Sequence, residues 1–197
     1  MMLKELTAVA QAALPVAQFR DHLRLGSGFA DTGAEDAALV AYLRAAIAAI
    51  EGRTAKVLLG RGFRLVLPGW RDARSVPLPV APVSAVAEVR LIDRVGGETV
   101  LAATRWRLVE DLARPRLEAV GGPLPEVPVA GTAEIDFTAG FGTWADLPVD
   151  LAQAVLLLAA QYFELRHDGA GEASAMPFGV MALIERWRTV RVLGGRE

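Results

Sequence analysis

Apolar residues recur at helical spacing in two segments near the start of the chain. Residues 16–25 predict a short helix that ends before Gly26. Thr32 and Glu35 have the spacing of a capping box, which predicts the start of a longer helix reaching about Val57. The apolar stripe of this second helix consists of Leu39, Leu43, Ile47 and Ile50.

The middle of the chain changes to short alternating runs separated by glycine and proline. Such runs predict β-strands, and Gly96-Gly97 between two of them predicts a hairpin turn. Pro77, Pro79 and Pro82 place their segment at a sheet edge or in an extended crossover, because proline cannot donate to a ladder. We therefore expect a small, mostly antiparallel sheet. Its predicted strands are Phe63–Leu67, Glu88–Asp93, Thr99–Ala102, Trp106–Val109, Arg116–Val120 and Ala133–Phe137.

Helical periodicity returns in the last quarter of the chain. Asp146 before Pro148 marks the start of a helix whose broad apolar face extends to Phe163. Small residues at 169–174 then predict a loop, followed by an amphipathic helix over about residues 180–193. The apolar face of this last helix consists of Leu183, Ile184, Trp187 and Val190.

These elements predict an α+β protein that is mainly α, with a small antiparallel β-domain inserted between the second long helix and the C-terminal helices. We expect residues 1–60 to form the N-terminal helices of the helical domain and residues 61–140 to form the inserted β-domain. Residues 141–171 would complete the helical domain, and residues 172–197 would form a linker and the C-terminal helix.

Composition excludes several classes of protein. The chain has 197 residues, of which 53% are apolar, and a formal net charge of −2, which excludes a disordered chain. It has no cysteine, so disulfide scaffolds, thiolate zinc sites and thiol nucleophiles are excluded. The two histidines, His22 and His167, are far apart, which disfavours a multi-histidine metal site. We predict no metal and no cofactor.

No segment has the pattern of a membrane span or a signal peptide. The most apolar stretch, Leu151–Phe163, is shorter than the roughly 20 residues that a bilayer requires and contains Gln153 and Gln161. The N-terminal segment lacks a long apolar core, because Gln11 and Pro15 interrupt it. We expect a protein made in the cytoplasm with no membrane partner.

The sequence contains no constellation of catalytic residues. His22 is flanked by charged residues, as on a solvated helix face, and His167 suits a helix C-terminus. Neither Gly60-Arg61-Gly62 nor Gly140-Phe141-Gly142 has the strand–loop–helix glycine spacing of a dinucleotide or phosphate-binding loop. We predict no catalytic residue and no enzyme activity.

Nucleic-acid binding is the alternative function. The chain has nineteen arginines and two lysines, and arginine suits phosphate recognition. However, a genome rich in G and C produces the same bias toward arginine. The sequence pI is near 5.8, and the chain has no sustained basic stripe. Trp106 between Arg105 and Arg107 could stack on a base, although alternation on a strand favours Trp106 in the core and both arginines in water.

Charge is segregated along the chain. Residues 61–116 hold ten arginines and six acids, residues 117–172 hold nine acids and one arginine, and residues 173–197 hold four arginines and two acids. Opposite blocks on one subunit favour contact between copies or with a charged partner, and the alternative is that the blocks interleave in space and cancel. The inter-subunit candidates on this hypothesis are Arg90, Arg94, Arg105, Arg107, Glu134 and Asp150.

The order of segments resembles the head–tail connector, or head-completion adaptor, proteins of long-tailed phages, and is most similar to the adaptor of gene transfer agents. The most specific likeness is the turn Ala139-Gly140-Phe141 ahead of Pro148. The likeness is spread over residues 16–25, Asp36–Arg53, Leu78–Val89, Ile135–Gly142, Leu147-Pro148, Ala154–Arg166 and Leu183–Arg191.

The resemblance implies a structural protein of the neck of a phage-like particle, assembled in the bacterial cytoplasm. About twelve copies would form a ring on the portal, extend the DNA channel and dock a stopper or tail-terminator protein. Contact with double-stranded DNA would be transient and non-specific. The C-terminal helix becomes the candidate portal anchor, either docked on its own core or free to leave it. The candidate portal-binding residues are Leu183, Ile184, Trp187, Arg188, Val190 and Arg191.

Overall fold

The protein has an α+β fold, as predicted. The computed structural model describes residues 1–25, 33–165 and 176–188. The chain divides into two compact units. The β unit comprises Met1–Val9 and Leu59–Thr143, and the helical unit comprises Ala10–Leu58 and Trp144–Glu197.

The larger sheet of the β unit has five strands: β1 (Met2–Glu5), β2 (Arg61–Leu67), β4 (Val83–Ile92), β5 (Glu98–Val100) and β8 (Thr132–Ala139). They lie in the order β1-β2-β8-β4-β5, and every neighbouring pair is antiparallel. The buried face of the sheet carries alternate residues, such as Phe63 and Leu65 opposite Phe137 and Ile135. The other face is polar because the period of a strand is two residues.

A second sheet of the β unit contains β3 (Ser75–Pro77), β6 (Trp106–Val109) and β7 (Arg116–Ala119) in the order β3-β7-β6. The proline-containing β3 lies at its edge, as proline requires. Trp106, the first residue of β6, is half-buried, while Arg105 before it and Arg107 after it are exposed. The two arginines face water as predicted, whereas Trp106 is only partly buried rather than a core residue.

The helical unit contains α1 (Val16–His22), α2 (Gly33–Thr54), α3 (Val149–Glu164) and α4 (Phe178–Ile184). The predicted stripe of α2 is buried, and α2 packs on α3. Tyr42 of α2 meets Phe163 of α3 edge to face, with ring centroids 6.1 Å apart. The predicted capping pair Thr32 and Glu35 lies outside the residues whose side chains are described.

Three differences from the sequence analysis concern element boundaries. β1 had not been predicted, and it places the first nine residues in the β unit rather than with the helices. α2 ends at Thr54, before Ala55 with φ +55°. The predicted single helix over residues 180–193 is wrong, because α4 ends at Ile184, one 3-10 turn covers Glu185–Trp187, and Arg188 is extended.

Candidate interaction surfaces

The polar face of the five-stranded sheet carries a ladder of ion pairs, here named the charge ladder. Arg64 Nε lies 2.7 Å from Asp136 Oδ1, and Arg90 Nε lies 3.0 Å from Glu134 Oε2. The ladder spans four strands, because β2, β8, β4 and β5 are adjacent in the sheet. It consists of Arg64, Arg90, Glu88, Glu98, Glu134 and Asp136.

Arg90 is the centre of the charge ladder. Its guanidinium reaches carboxylates of Glu88, Glu98, Glu134 and Asp136 at 2.6 to 3.3 Å, and 13% of its side chain is exposed. Burial disfavours the charged form, but the hydrogen bond to Glu134 and the neighbouring carboxylates outweigh it and raise the pKa of Arg90. Arg90 and Glu134, two inter-subunit candidates, therefore compensate each other within one subunit.

A smaller ion-pair cluster lies on the three-stranded sheet. Glu118 accepts hydrogen bonds from Arg107 at 2.6 Å and from Arg116 at 2.9 Å, and these bonds lower the pKa of Glu118. Arg105 donates to the carbonyl oxygen of Pro123 at 3.0 Å. The candidates Arg105 and Arg107 are thus exposed side chains that already have partners in their own subunit.

The candidate Arg94 lies in the exposed β4–β5 hairpin. Asp93 organises this turn, since its Oδ1 accepts from the backbone N–H groups of Val95 at 2.8 Å and Gly97 at 2.7 Å. Gly96 has φ +88°, a conformation that favours glycine. The turn presents Arg94 and Val95, which is 83% exposed, to solvent.

The last described segment packs on α3 and is held there by polar contacts with Asp150. Ile184 is 1% exposed and belongs to the core of the helical unit. The indole N–H of Trp187 donates to Asp150 Oδ2 at 2.7 Å, and Arg186 Nε lies 2.7 Å from the same oxygen. Burial raises the pKa of Asp150, but these two hydrogen bonds outweigh it, so that the pKa of Asp150 lies below its ordinary value.

Beside these contacts lies a shallow, mostly apolar groove of about 740 Å³ between the start of α3 and α4. Leu183 lines it, and so does Val149, which is 84% exposed. Phe178, 88% exposed, begins the same helix α4. Among the portal-binding candidates, Leu183 and Arg188 are accessible, Ile184 and Trp187 hold the helix on its own subunit, and Val190 and Arg191 lie outside the described residues.

The sequence does not predict that Val149, in the groove, and Phe178, at the start of α4, are exposed apolar residues. Their exposure depends on which helices cover them, and a pattern within one segment does not contain that information. In the described segments, no group of three or more His, Asp or Glu residues could hold a metal ion. No helix there is long and apolar enough to cross a membrane.

The chain matches no protein-family model and no curated protein. Among solved structures, it is 70% identical to a chain in the neck of an empty gene transfer agent (GTA) particle computed with C6 symmetry, with a TM-score of 0.90. It is 64% identical to a chain in the neck of a native GTA particle computed with C12 symmetry, with a TM-score of 0.86. A chain in the virion of a native GTA particle is 70% identical, with a TM-score of 0.87. Each match covers 100% of both chains.

This chain and the matched chains have similar sequences and the same fold over their whole lengths. The chain belongs to the family of neck proteins of gene transfer agent particles.

Proposed function

We propose that the protein is a structural, non-enzymatic adaptor of a GTA particle neck, and that twelve copies form a ring on the portal. The observation that carries the proposal is the sequence identity of 70% and 64%, over the whole chain, to two chains in the necks of GTA particles. One of these necks was computed with C12 symmetry. The ring extends the DNA channel and offers a docking surface to a stopper or tail-terminator protein. DNA contacts in such a channel are transient and directed to the backbone, because the duplex must slide.

The proposed portal anchor is the segment from α4 to Arg188. Phe178 and Leu183 supply accessible apolar side chains on this segment, and Arg188 supplies an exposed charge at its end. Ile184 and Trp187 position this segment, since they attach α4 to α3. Apolar side chains surrounded by polar ones are the usual composition of a binding hot spot.

The anchor is tested by portal binding of two matched variants. Phe178→Asp places a charge on the proposed anchor, and Val129→Asp places one at a 94% exposed site of the β unit. We expect Phe178→Asp to weaken portal binding at least tenfold, as at a hot spot worth about 2 kcal/mol, and Val129→Asp to leave it unchanged. Equal binding by both variants would remove the anchor from α4.

Trp187→Ala separates positioning from direct contact. Loss of the indole breaks the hydrogen bond to Asp150, so we expect weaker portal binding together with a lower free energy of unfolding. A folded Trp187→Ala protein that decorates the portal as the parent does would show that the attachment of α4 is irrelevant to the anchor.

A further inference from the structure

The five-stranded sheet ends in two open edges, β1 and β5, and both are accessible. Every residue of β5 is exposed, as are three of the four residues of β1. An open edge presents unpaired backbone N–H and C=O groups, which another strand can bind. A subunit with two different open edges of one sheet has the two surfaces that a head-to-tail ring requires.

The register shows which backbone groups of β1 point outward. The N–H of Leu6 donates to the carbonyl of Gly62 at 2.8 Å. Hydrogen-bonded pairs alternate along an antiparallel ladder, so Lys4 also turns its backbone groups toward β2. The backbone groups of Leu3 and Glu5 therefore point away from the sheet.

The backbone groups of β5 that point outward follow from its register with β4. The N–H of Leu101 donates to the carbonyl of Val89 at 2.8 Å, and the N–H of Asp93 donates to the carbonyl of Gly97 at 2.9 Å. Thr99, midway between Gly97 and Leu101, is then hydrogen-bonded to β4. The backbone groups of Glu98 and Val100 point outward.

Strand direction and side-chain face then restrict how two copies can join. Because each neighbouring pair in the sheet is antiparallel, β1 and β5 run in the same direction, and a ring would pair them in parallel. In a parallel ladder, a residue bonds to the two residues that flank its opposite neighbour. Glu98 can thus bond to the backbones of Leu3 and Glu5 when Lys4 lies opposite it.

This register also matches the side chains. Lys4 lies beside Arg64 and Glu98 contacts Arg90, so both lie on the face of the charge ladder. Opposite charges then meet at Lys4 and Glu98. Two residues further, Leu6, 48% exposed, lies opposite Val100, 55% exposed. A shift by two residues would instead place Lys4 against Val100 and lose both pairings.

We infer that β1 of one copy pairs in parallel with β5 of the next copy, with Lys4 opposite Glu98 and Leu6 opposite Val100. The two sheets become one across each subunit boundary. The inference rests on the proposed ring and names its lateral contact. Only two residues on each edge offer outward backbone groups, so the contact is weak for an isolated pair and forms when the portal holds subunits side by side.

Disulfide trapping tests the register, since the chain contains no cysteine of its own. The variant Leu6→Cys with Val100→Cys is assembled on the portal and oxidised mildly. Within one subunit the two edges lie four strand spacings, about 19 Å, apart, so bridges form only between subunits. The control, Leu6→Cys with Val129→Cys, keeps one edge cysteine and moves the other to an exposed site off the edge.

We expect covalent multimers up to the full ring from the edge pair, at least tenfold above the control, on non-reducing gels. Native mass spectrometry of the same samples reports whether rings are present. Rings without edge-specific bridges would overturn the inference and leave the ring standing. Equal bridging in both variants would also overturn it. Absence of rings on the portal would overturn the proposed function together with the inference.

A second variant tests the backbone hydrogen bonds. Val100→Pro removes an outward N–H while leaving the bonds of Thr99 and Leu101 to β4, and edge strands tolerate proline at such a position. The control Val100→Thr retains the N–H. We expect Val100→Pro to lower ring yield on the portal at least tenfold with an unchanged circular dichroism spectrum, and Val100→Thr to assemble normally. Normal assembly of a folded Val100→Pro protein would exclude the backbone pairing.

Discussion

At the scale of single residues, Asp150 connects the start of α3 with the end of the chain's described part. Its carboxylate accepts hydrogen bonds from Trp187, Arg186 and the backbone of Leu151. A folded-state pKa below the unfolded one means that ionised Asp150 stabilises the fold. This stabilisation is fully present above the ordinary pKa of 3.8 and is lost as the pH falls through the lower, folded-state pKa.

We therefore predict that Asp150→Asn lowers the free energy of unfolding by about 1 to 2 kcal/mol at pH 7, since hydrogen bonds to a charged group are lost. The deficit relative to the parent should shrink as the pH falls from 3.8 through the lower folded-state pKa of Asp150, because the stabilisation by the ionised carboxylate is lost over that range. Urea unfolding of the parent and the variant at pH 7 and at a pH below 3.8 measures this difference in the free energy of unfolding. Asp21→Asn, at an exposed site on α1, serves as the control, and a deficit that is independent of pH would contradict the assignment.

A second residue-scale prediction concerns Gly140. It has φ +123°, and a Cβ there would lie 2.7 Å from backbone atoms of Gly60. Gly140→Ala should lower the free energy of unfolding by about 2 kcal/mol or more, because neither backbone can move away cheaply. Gly52→Ala, within α2 and with no atom within 4 Å of the new Cβ, should be neutral or slightly stabilising. Equal thermal stability of the two variants would contradict this reading.

The local sequence pattern predicts some of these features, and contacts between distant parts of the chain determine the others. The apolar stripe of α2 could be predicted because the residues of one helix face recur at a regular spacing within a single segment. The Ala-Gly-aromatic turn was recognised as specific, but its physical reason is the approach of Gly60, eighty residues away in sequence. Such a contact depends on which strands become neighbours.

At the scale of secondary-structure elements, the charge blocks of the sequence cancel by strand pairing. The basic segment around Arg90 lies on β4 and the acidic segment around Glu134 lies on β8, and these strands are neighbours. At the charge ladder the two blocks therefore interleave within one subunit. This pairing follows from the register of β4 against β8, which neither strand's sequence predicts alone.

The charge ladder should be sensitive to removal of its central cation. Arg90→Met leaves four carboxylates without their shared partner, and we expect a loss of about 3 kcal/mol in the free energy of unfolding. Arg94→Met, in the exposed hairpin, should change it by less than about 0.5 kcal/mol. Denaturant unfolding of both variants measures the contrast. If Arg90→Met is as stable as Arg94→Met, the charge ladder does not hold the sheet.

The strand β1 illustrates a limit of sequence patterns at this scale. Met2–Glu5 is a short run with one acid beside one base, and nothing in it distinguishes a strand from a terminal extension. It becomes a strand because β2 offers an open edge in the matching register. The role inferred for β1 in ring assembly rests on its position at the edge of the sheet rather than on its composition.

At the scale of the whole molecule, the proposed function requires a subunit that stays separate until a template is present. Short lateral edges and a small anchor would suit this requirement, because neither contact alone fixes many residues. On this proposal the portal raises the local concentration of subunits, and weak lateral contacts then close the ring. The two edges lie on the β unit, and the proposed anchor lies on α4 and the residues after it.

The most direct measurement is native mass spectrometry of the purified protein, alone and mixed with the portal of the same particle. We predict a monomer alone and a complex with twelve copies in the presence of portal, the number matching the C12 symmetry of a related neck. A folded monomer that does not associate with portal, or a ring of the same size without portal, would contradict a templated neck adaptor.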